Sequence, residues 1–110
     1  MKRGGMAKRQ IFTVNTPLGY RANLSRDRWR QIVRFKHPAL AGREKHVREC
    51  LESPATVRGS VKDVDVHLYY KRFDDVFLCV VTAPADDGDH FVVSAYLTKK
   101  LKKGDELWTK

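Results

Sequence analysis

Cysteine is scarce. Cys50 and Cys79 are the only two, and neither belongs to a C-x-x-C pair or an H-E-x-x-H helix. That argues against a disulfide framework and a local structural zinc site, and both thiols are expected to be reduced in the core. No apolar run approaches the ~20 residues that cross a bilayer, so no membrane partner is expected. The opening MKRGGMAKRQ carries charge but no apolar stretch of ~7 to 15 residues behind it. It does not read as a secretory leader, and a cytoplasmic location is expected. His37, His46, His67 and His90 match no local ligand spacing. No metal and no cofactor is expected, although spacing leaves open a site assembled from distant positions. Repeats and low-complexity linkers are absent too, and 110 residues is the size of one domain with one core.

Acidic residues are missing from one region. Residues 1 to 36 hold ten Lys or Arg against Asp27 alone, whereas residues 37 to 110 hold twelve of each sign, so the net charge of +9 resides in the first third. A polyanion is the natural partner, because each cation that neutralises a phosphate releases condensed counterions. Residues 1 to 9 read as a disordered basic tail and residues 10 to 110 as a single domain.

Within that domain, QIFTV and YRANL flank a Pro17-Leu18-Gly19 turn signal and read as two short strands. SRDRWRQIVRF reads as a helix capped by Ser25, with Trp29, Ile32 and Val33 as its apolar stripe. Arg26, Arg30 and Arg34 recur every fourth residue on the other side, where like charges oppose one another by a few tenths of a kcal/mol per pair. They serve either as phosphate contacts or as a solvated face whose stems cover the core edge. His37-Pro38 ends this helix. A second helix over residues 41 to 53 carries Glu44 with Arg48 and Lys45 with Glu49 as opposite-charge pairs, which suits a structural support.

From residue 56 the period changes to two, and TVRGS, VDVHLYYKRF, VFLCVVTAP and HFVVSAYLT read as four strands with short links. The expected fold is α+β, with N-terminal short strands and two helices on one face of a four-stranded antiparallel sheet. In the last strand Phe91, Val93, Ala95 and Leu97 alternate with His90, Val92, Ser94, Tyr96 and Thr98. Taken with Arg58, His67, Tyr69 and Lys71, this predicts a polar face of cations and aromatic rings suited to phosphates and unpaired bases. The same residues also suit a solvated sheet face. Lys99, Lys100, Lys102 and Lys103 add a second basic cluster before Gly104 and Trp108, placed to flank a phosphate path or to form a solvated edge.

The order helix, H-P, helix, P-x-x-V-R, L-Y-Y-K, S-A-Y-L-T and K-K-G-x-x-L-W resembles the phage-associated Barnase-EndoU-Colicin-RelE-like (BECR) nuclease domains. The likeness runs from about Gln10 to Trp108, and its last two motifs are the most specific. The resemblance implies a RelE-like, toxin-like endoribonuclease that needs no metal, with its site on the open face of the sheet. It places His37, Arg58, Lys71 and Tyr96 as catalytic residues. RNA contacts would come from Arg26, Arg30, Arg34, Tyr69, Ser94, Thr98, Lys99 and Lys100. Attack of a 2′-hydroxyl on the adjacent phosphate needs a base, an acid and charge stabilisation. His37, or alternatively His67, suits the proton transfers because histidine ordinarily titrates near pH 6.5. Tyr96 is a second acid or base, and Arg58 and Lys71 would neutralise the phosphorane. A non-catalytic RNA- or DNA-binding module would use the same surfaces. A protein-interaction domain would instead present its basic face to an acidic partner such as an antitoxin or immunity protein.

Overall fold

The computed structural model describes residues 9 to 110, so Lys2, Arg3 and Lys8 of the expected tail lie outside the described residues. Arg9 already belongs to the fold, its carbonyl accepting the Arg26 N–H at 2.8 Å. The two expected short strands, β1 (Gln10–Asn15) and β2 (Arg21–Ser25), pair as an antiparallel hairpin. Thr16 builds its turn: the hydroxyl donates to the Tyr20 carbonyl at 3.0 Å and accepts the Leu18 N–H at 3.3 Å. Gly19, at φ 96, supplies the left-handed step.

Ser25 caps α1 (Arg26–Gln31), its Oγ accepting the Arg28 N–H at 3.1 Å. The helix then widens into a π-helical turn, Ile32–Lys36, closed by the His37 N–H on the Ile32 carbonyl at 2.7 Å. Pro38 stops it, holding His37 outside the helical region at φ −138 and ψ 72. A short 3-10 turn, Pro38–Leu40, leads to α2 (Glu44–Glu52). This helix begins at Glu44 rather than residue 41 because Gly42, at φ 79, turns the chain first. The anticipated Glu44–Arg48 and Lys45–Glu49 pairs are not made; Arg48 Nε reaches Glu52 instead, at 3.4 Å.

β3 (Thr56–Gly59), β4 (His67–Phe73), β5 (Val76–Pro84), β6 (His90–Thr98) and β7 (Glu106–Thr109) complete one seven-stranded sheet in the order β1-β2-β6-β5-β4-β3-β7. This corrects the four-stranded antiparallel expectation. The chain end pairs on β3 as β7, and the hairpin joins through a parallel contact, Ala22 with His90 and Asn23 with Phe91. Alternation assigns residues to faces but does not say which strands are neighbours, and that is why the sequence missed both joins.

α1 packs on β2 and β6, and α2 on β1, β4 and β5. Between helices and sheet, Trp29, Ile32, Val47, Leu51, Leu78 and Val80 are buried in one cluster. Full burial of such a side chain contributes about 1.5–3 kcal/mol. The opposite face carries a smaller cluster, Leu68, Tyr70 and Cys79, against which Leu101 packs from the segment crossing from β6 to β7. Gly104 permits that crossing at φ 154; a Cβ there would strike the carbonyl oxygen of Gly59.

A bulge decides which β6 residues face which way. Val81 pairs with Ser94 but Thr82 with Val92, leaving Val93 unpaired. Val92 and Ala95 therefore both join the helix-side core, and one uninterrupted alternation along β6 does not hold.

Candidate functional site

β6 has β2 beside it only as far as Phe91. Beyond the bulge no other strand among the described residues pairs with β6 on that side, and there the π-helical turn delivers His37. Its half-buried ring lies 5.8 Å from that of Tyr96, centroid to centroid, with the planes tilted by 35°. Lys102 Nζ sits 5.5 Å from the Tyr96 centroid, within cation–π range. The main chain of Lys102 ties in two more groups: its N–H donates to the Tyr70 hydroxyl at 3.0 Å, and its carbonyl accepts Arg58 Nη1 at 2.9 Å. Lys102 thus links the phenols of Tyr70 and Tyr96 and the guanidinium of Arg58 across the face that carries Leu68, Tyr70 and Cys79, with His37 at its β6 edge.

Two polar atoms of this cluster are buried without a partner, the Tyr96 hydroxyl and Arg58 Nε. The hydroxyl lies among Cys79 Sγ and the Tyr70 hydroxyl but meets the geometry of a hydrogen bond to neither. Such a group costs about 1–3 kcal/mol, so its retention calls for an explanation. Burial, then the neighbouring Cys79, raises the Tyr96 phenol well above its ordinary value. Burial also raises Tyr70, and pushes the Cys79 thiol up to about 11. At neutral pH these groups hold their protons.

Register places Ser94, Tyr96 and Thr98 on this face, opposite Val81, Cys79 and Phe77. Thr98 spends its hydroxyl on the turn that follows, donating to the Lys100 carbonyl at 3.0 Å and accepting its N–H at 3.2 Å. Lys99 and Lys100 are exposed at the strand end. Lys71 and Tyr69 belong elsewhere. β4 runs in the opposite phase to the one expected: Arg58 stands beside Leu68, and Val57 beside Tyr69. Lys71 Nζ donates to the Ser53 carbonyl at 2.7 Å, at the C-terminal end of α2, where a cation also meets the negative pole of the helix. Tyr69 is wholly buried on the helix side and offers no ring surface to a base. Arg26, Arg30 and Arg34 are exposed together on the outer side of α1, where they border a separate cleft.

A second polar cluster went unread in the sequence. The Tyr69 hydroxyl donates to that of Tyr20 at 2.6 Å, and the Tyr20 hydroxyl meets His67 Nδ1 at 2.6 Å. Tyr20 also stacks on His90, whose Nδ1 meets Thr82 Oγ1 at 2.9 Å. Burial lowers the pKa of His67, and burial followed by the adjacent His67 lowers His90 to about 4. The sequence signal was present in principle. His67 opens β4 and His90 opens β6, and in an antiparallel β4-β5-β6 arrangement these two strand starts lie at the same end of the sheet. No group of three or more His, Cys, Asp or Glu among the described residues is arranged to hold a metal ion. No helix among them is long and apolar enough to cross a membrane.

No family model, curated protein or solved structure matches this chain.

Proposed function

We propose that the chain is an endoribonuclease of the BECR type that needs no metal, with its site at the free edge of β6. The observation that carries this reading is the contact between His37, from the helix layer, and Tyr96, from the sheet, with Lys102 over the Tyr96 ring and Arg58 bonded to the Lys102 carbonyl. The S-A-Y-L-T and K-K-G-x-x-L-W motifs, on which the resemblance chiefly rests, supply Tyr96 and Lys102. The exposed Lys99 and Lys100 give a phosphate backbone an approach to the site.

In the reaction His37 takes the proton of a ribose 2′-hydroxyl as its oxygen bonds to the adjacent phosphorus. The bond from phosphorus to the 5′-oxygen breaks, the leaving oxygen receives a proton, and the products are a 2′,3′-cyclic phosphate and a 5′-hydroxyl. Tyr96, kept protonated by its burial, becomes the donor when RNA displaces the Leu101–Lys102 segment packed over it and opens its hydroxyl to the leaving oxygen, and Arg58 and Lys102 neutralise the charge that builds on the non-bridging oxygens. Lys102 takes the role that the sequence reading gave to Lys71.

The test is incubation with total cellular RNA and a chelator, compared with a Tyr96→Phe, Arg58→Ala double variant on a denaturing gel. Fragments ending in cyclic phosphate from the wild type alone are expected. The closure of the Lys99–Asp105 segment over Tyr70 favours a second reading, a binding module without catalysis. Intact RNA that is nonetheless retarded on a native gel would replace the first reading with that one.

A further inference from the structure

The cleft beside α1 lies between that helix, β1 and the start of α2, with no residue of the cluster around Arg58 and Tyr96 in its walls. Its volume is about 300 Å³. Ile11, Trp29 and Val33 contribute apolar wall, while Arg26, Arg30 and Arg34 stand along the rim. Glu44, at the start of α2, is the one acidic residue that lines it. The three guanidinium groups repel one another at four-residue spacing. Asp27 answers only Arg30, at 3.5 Å and in a solvent-exposed pair that screening weakens. At the end of the same turn Phe35 is 74% exposed, with the Arg34 guanidinium 5.9 Å from its ring.

We infer that this cleft docks an acidic peptide segment that inserts an apolar side chain between Ile11, Trp29 and Val33 and pairs carboxylates with the arginine rim. Guanidinium binds carboxylate and phosphate alike, so the floor decides between a peptide and RNA. Trp29 is only 7% exposed, too little surface for a base to stack on, and its neighbours are aliphatic. An aliphatic pocket of this size fits a leucine-like anchor. Glu44 sets the polarity, turning the peptide's carboxylates toward the arginines. Val33 and Arg34 belong to the π-helical turn, and the hydrogen bond closing that turn is made by the His37 N–H itself. A bound peptide therefore acts on the position of His37 against Tyr96. That this changes RNA cleavage rests on the ribonuclease reading; the docking and the response of His37 do not.

The probe is a short fluorescent synthetic amphipathic peptide of leucine and glutamate, titrated by anisotropy. Saturable binding is expected, weakened about tenfold or more by Arg30→Glu, which sets a carboxylate against the peptide's own. Lys62→Glu makes the same change in net charge on the exposed loop before β4 and should leave binding near wild type. Replacing the peptide's leucines by serine should also weaken binding about tenfold, from the lost apolar burial. The His37 ring resonance should shift with the peptide in the wild type and stay still in Arg30→Glu. Equal losses from Arg30→Glu and Lys62→Glu, or indifference to the leucines, would overturn the proposal in favour of unspecific charge attraction. Binding of an oligouridylate that Arg30→Glu abolishes, with none of the peptide, would assign the cleft to RNA. Since neither readout uses cleavage, an inactive protein that binds the peptide would sink the ribonuclease reading and leave this one standing.

Discussion

Tyr20 lies flat on His90, ring centroids 3.7 Å apart and planes 7° apart, pinning the β1–β2 turn across the start of β6. The contact suits a neutral imidazole. Burial and His67 disfavour the charged ring, Asp65 and Asp89 pull weakly the other way, and the result is a pKa near 4 against an ordinary 6.5.

Acid should therefore loosen this end of the sheet. A histidine whose folded pKa is depressed gives its stabilisation in full above its unfolded pKa; below that, the unfolded chain binds the proton first. The contribution is lost as pH falls from about 6.5 toward 4. Asp89, held low chiefly by the Arg21 N–H, fades only as pH drops below the ordinary Asp value. Urea midpoints measured across this range should fall for the wild type and fall less for His90→Gln. Parallel curves would mean that His90 does not carry the effect.

The hydroxyl chain makes a graded prediction. Tyr69→Phe removes one donor and leaves Tyr20 bonded to His67, which should cost about 1 kcal/mol. Tyr20→Phe strands both the buried Tyr69 hydroxyl and His67 Nδ1, and should cost more, about 2–3 kcal/mol from two unsatisfied groups. Chemical denaturation of the two variants gives the order, and a double variant no worse than Tyr20→Phe would show that the groups act as one unit.

How far the sequence could be read is clearest in β4. Its strand, its period and the helices that cover the sheet were all legible, because burial imposes alternation and Ser25, Pro17-Leu18-Gly19 and Pro38 punctuate the chain. Phase was not. Leu68-Tyr69-Tyr70-Lys71 offers an apolar or aromatic residue to both faces, and both faces are buried, one under α2 and one under Leu101. Alternation cannot decide the phase of a strand covered on both sides. In β6 the Val93 bulge resets the phase midway, a feature that leaves no mark in composition. His37 and Tyr96, both named from the motifs, stand ring to ring; Lys102, seen only as part of a charge run, reaches Tyr96 through the crossing that Gly104 permits.

That correction can be tested by exchanging roles. Lys71→Met removes a cation from the end of α2 and should cost up to about 1 kcal/mol of stability with RNA cleavage unchanged. Lys102→Met keeps the backbone bonds to Tyr70 and Arg58 but removes the ammonium over Tyr96, and should lower cleavage about a hundredfold with little effect on stability. Gel assays beside denaturation curves separate the two. A cleavage defect in Lys71→Met alone would restore the first assignment.

Tyr96→Phe sets stability against function most directly. The hydroxyl is buried without a partner, so deleting it removes a desolvation cost and leaves the ring's contacts with His37 and Lys102 in place. The variant should be more stable than the wild type by about 1 kcal/mol, since an unsatisfied buried donor costs about that much or more. Were the phenol only a packing group, stability would rise and cleavage would stay the same. As the proton donor of the proposed reaction, its loss should cut cleavage about a hundredfold or more, and a variant at once firmer and slower is what a retained, costly hydroxyl predicts. A less stable Tyr96→Phe would mean that the hydroxyl bonds Cys79 or Tyr70 after all, and that its place in the site is structural.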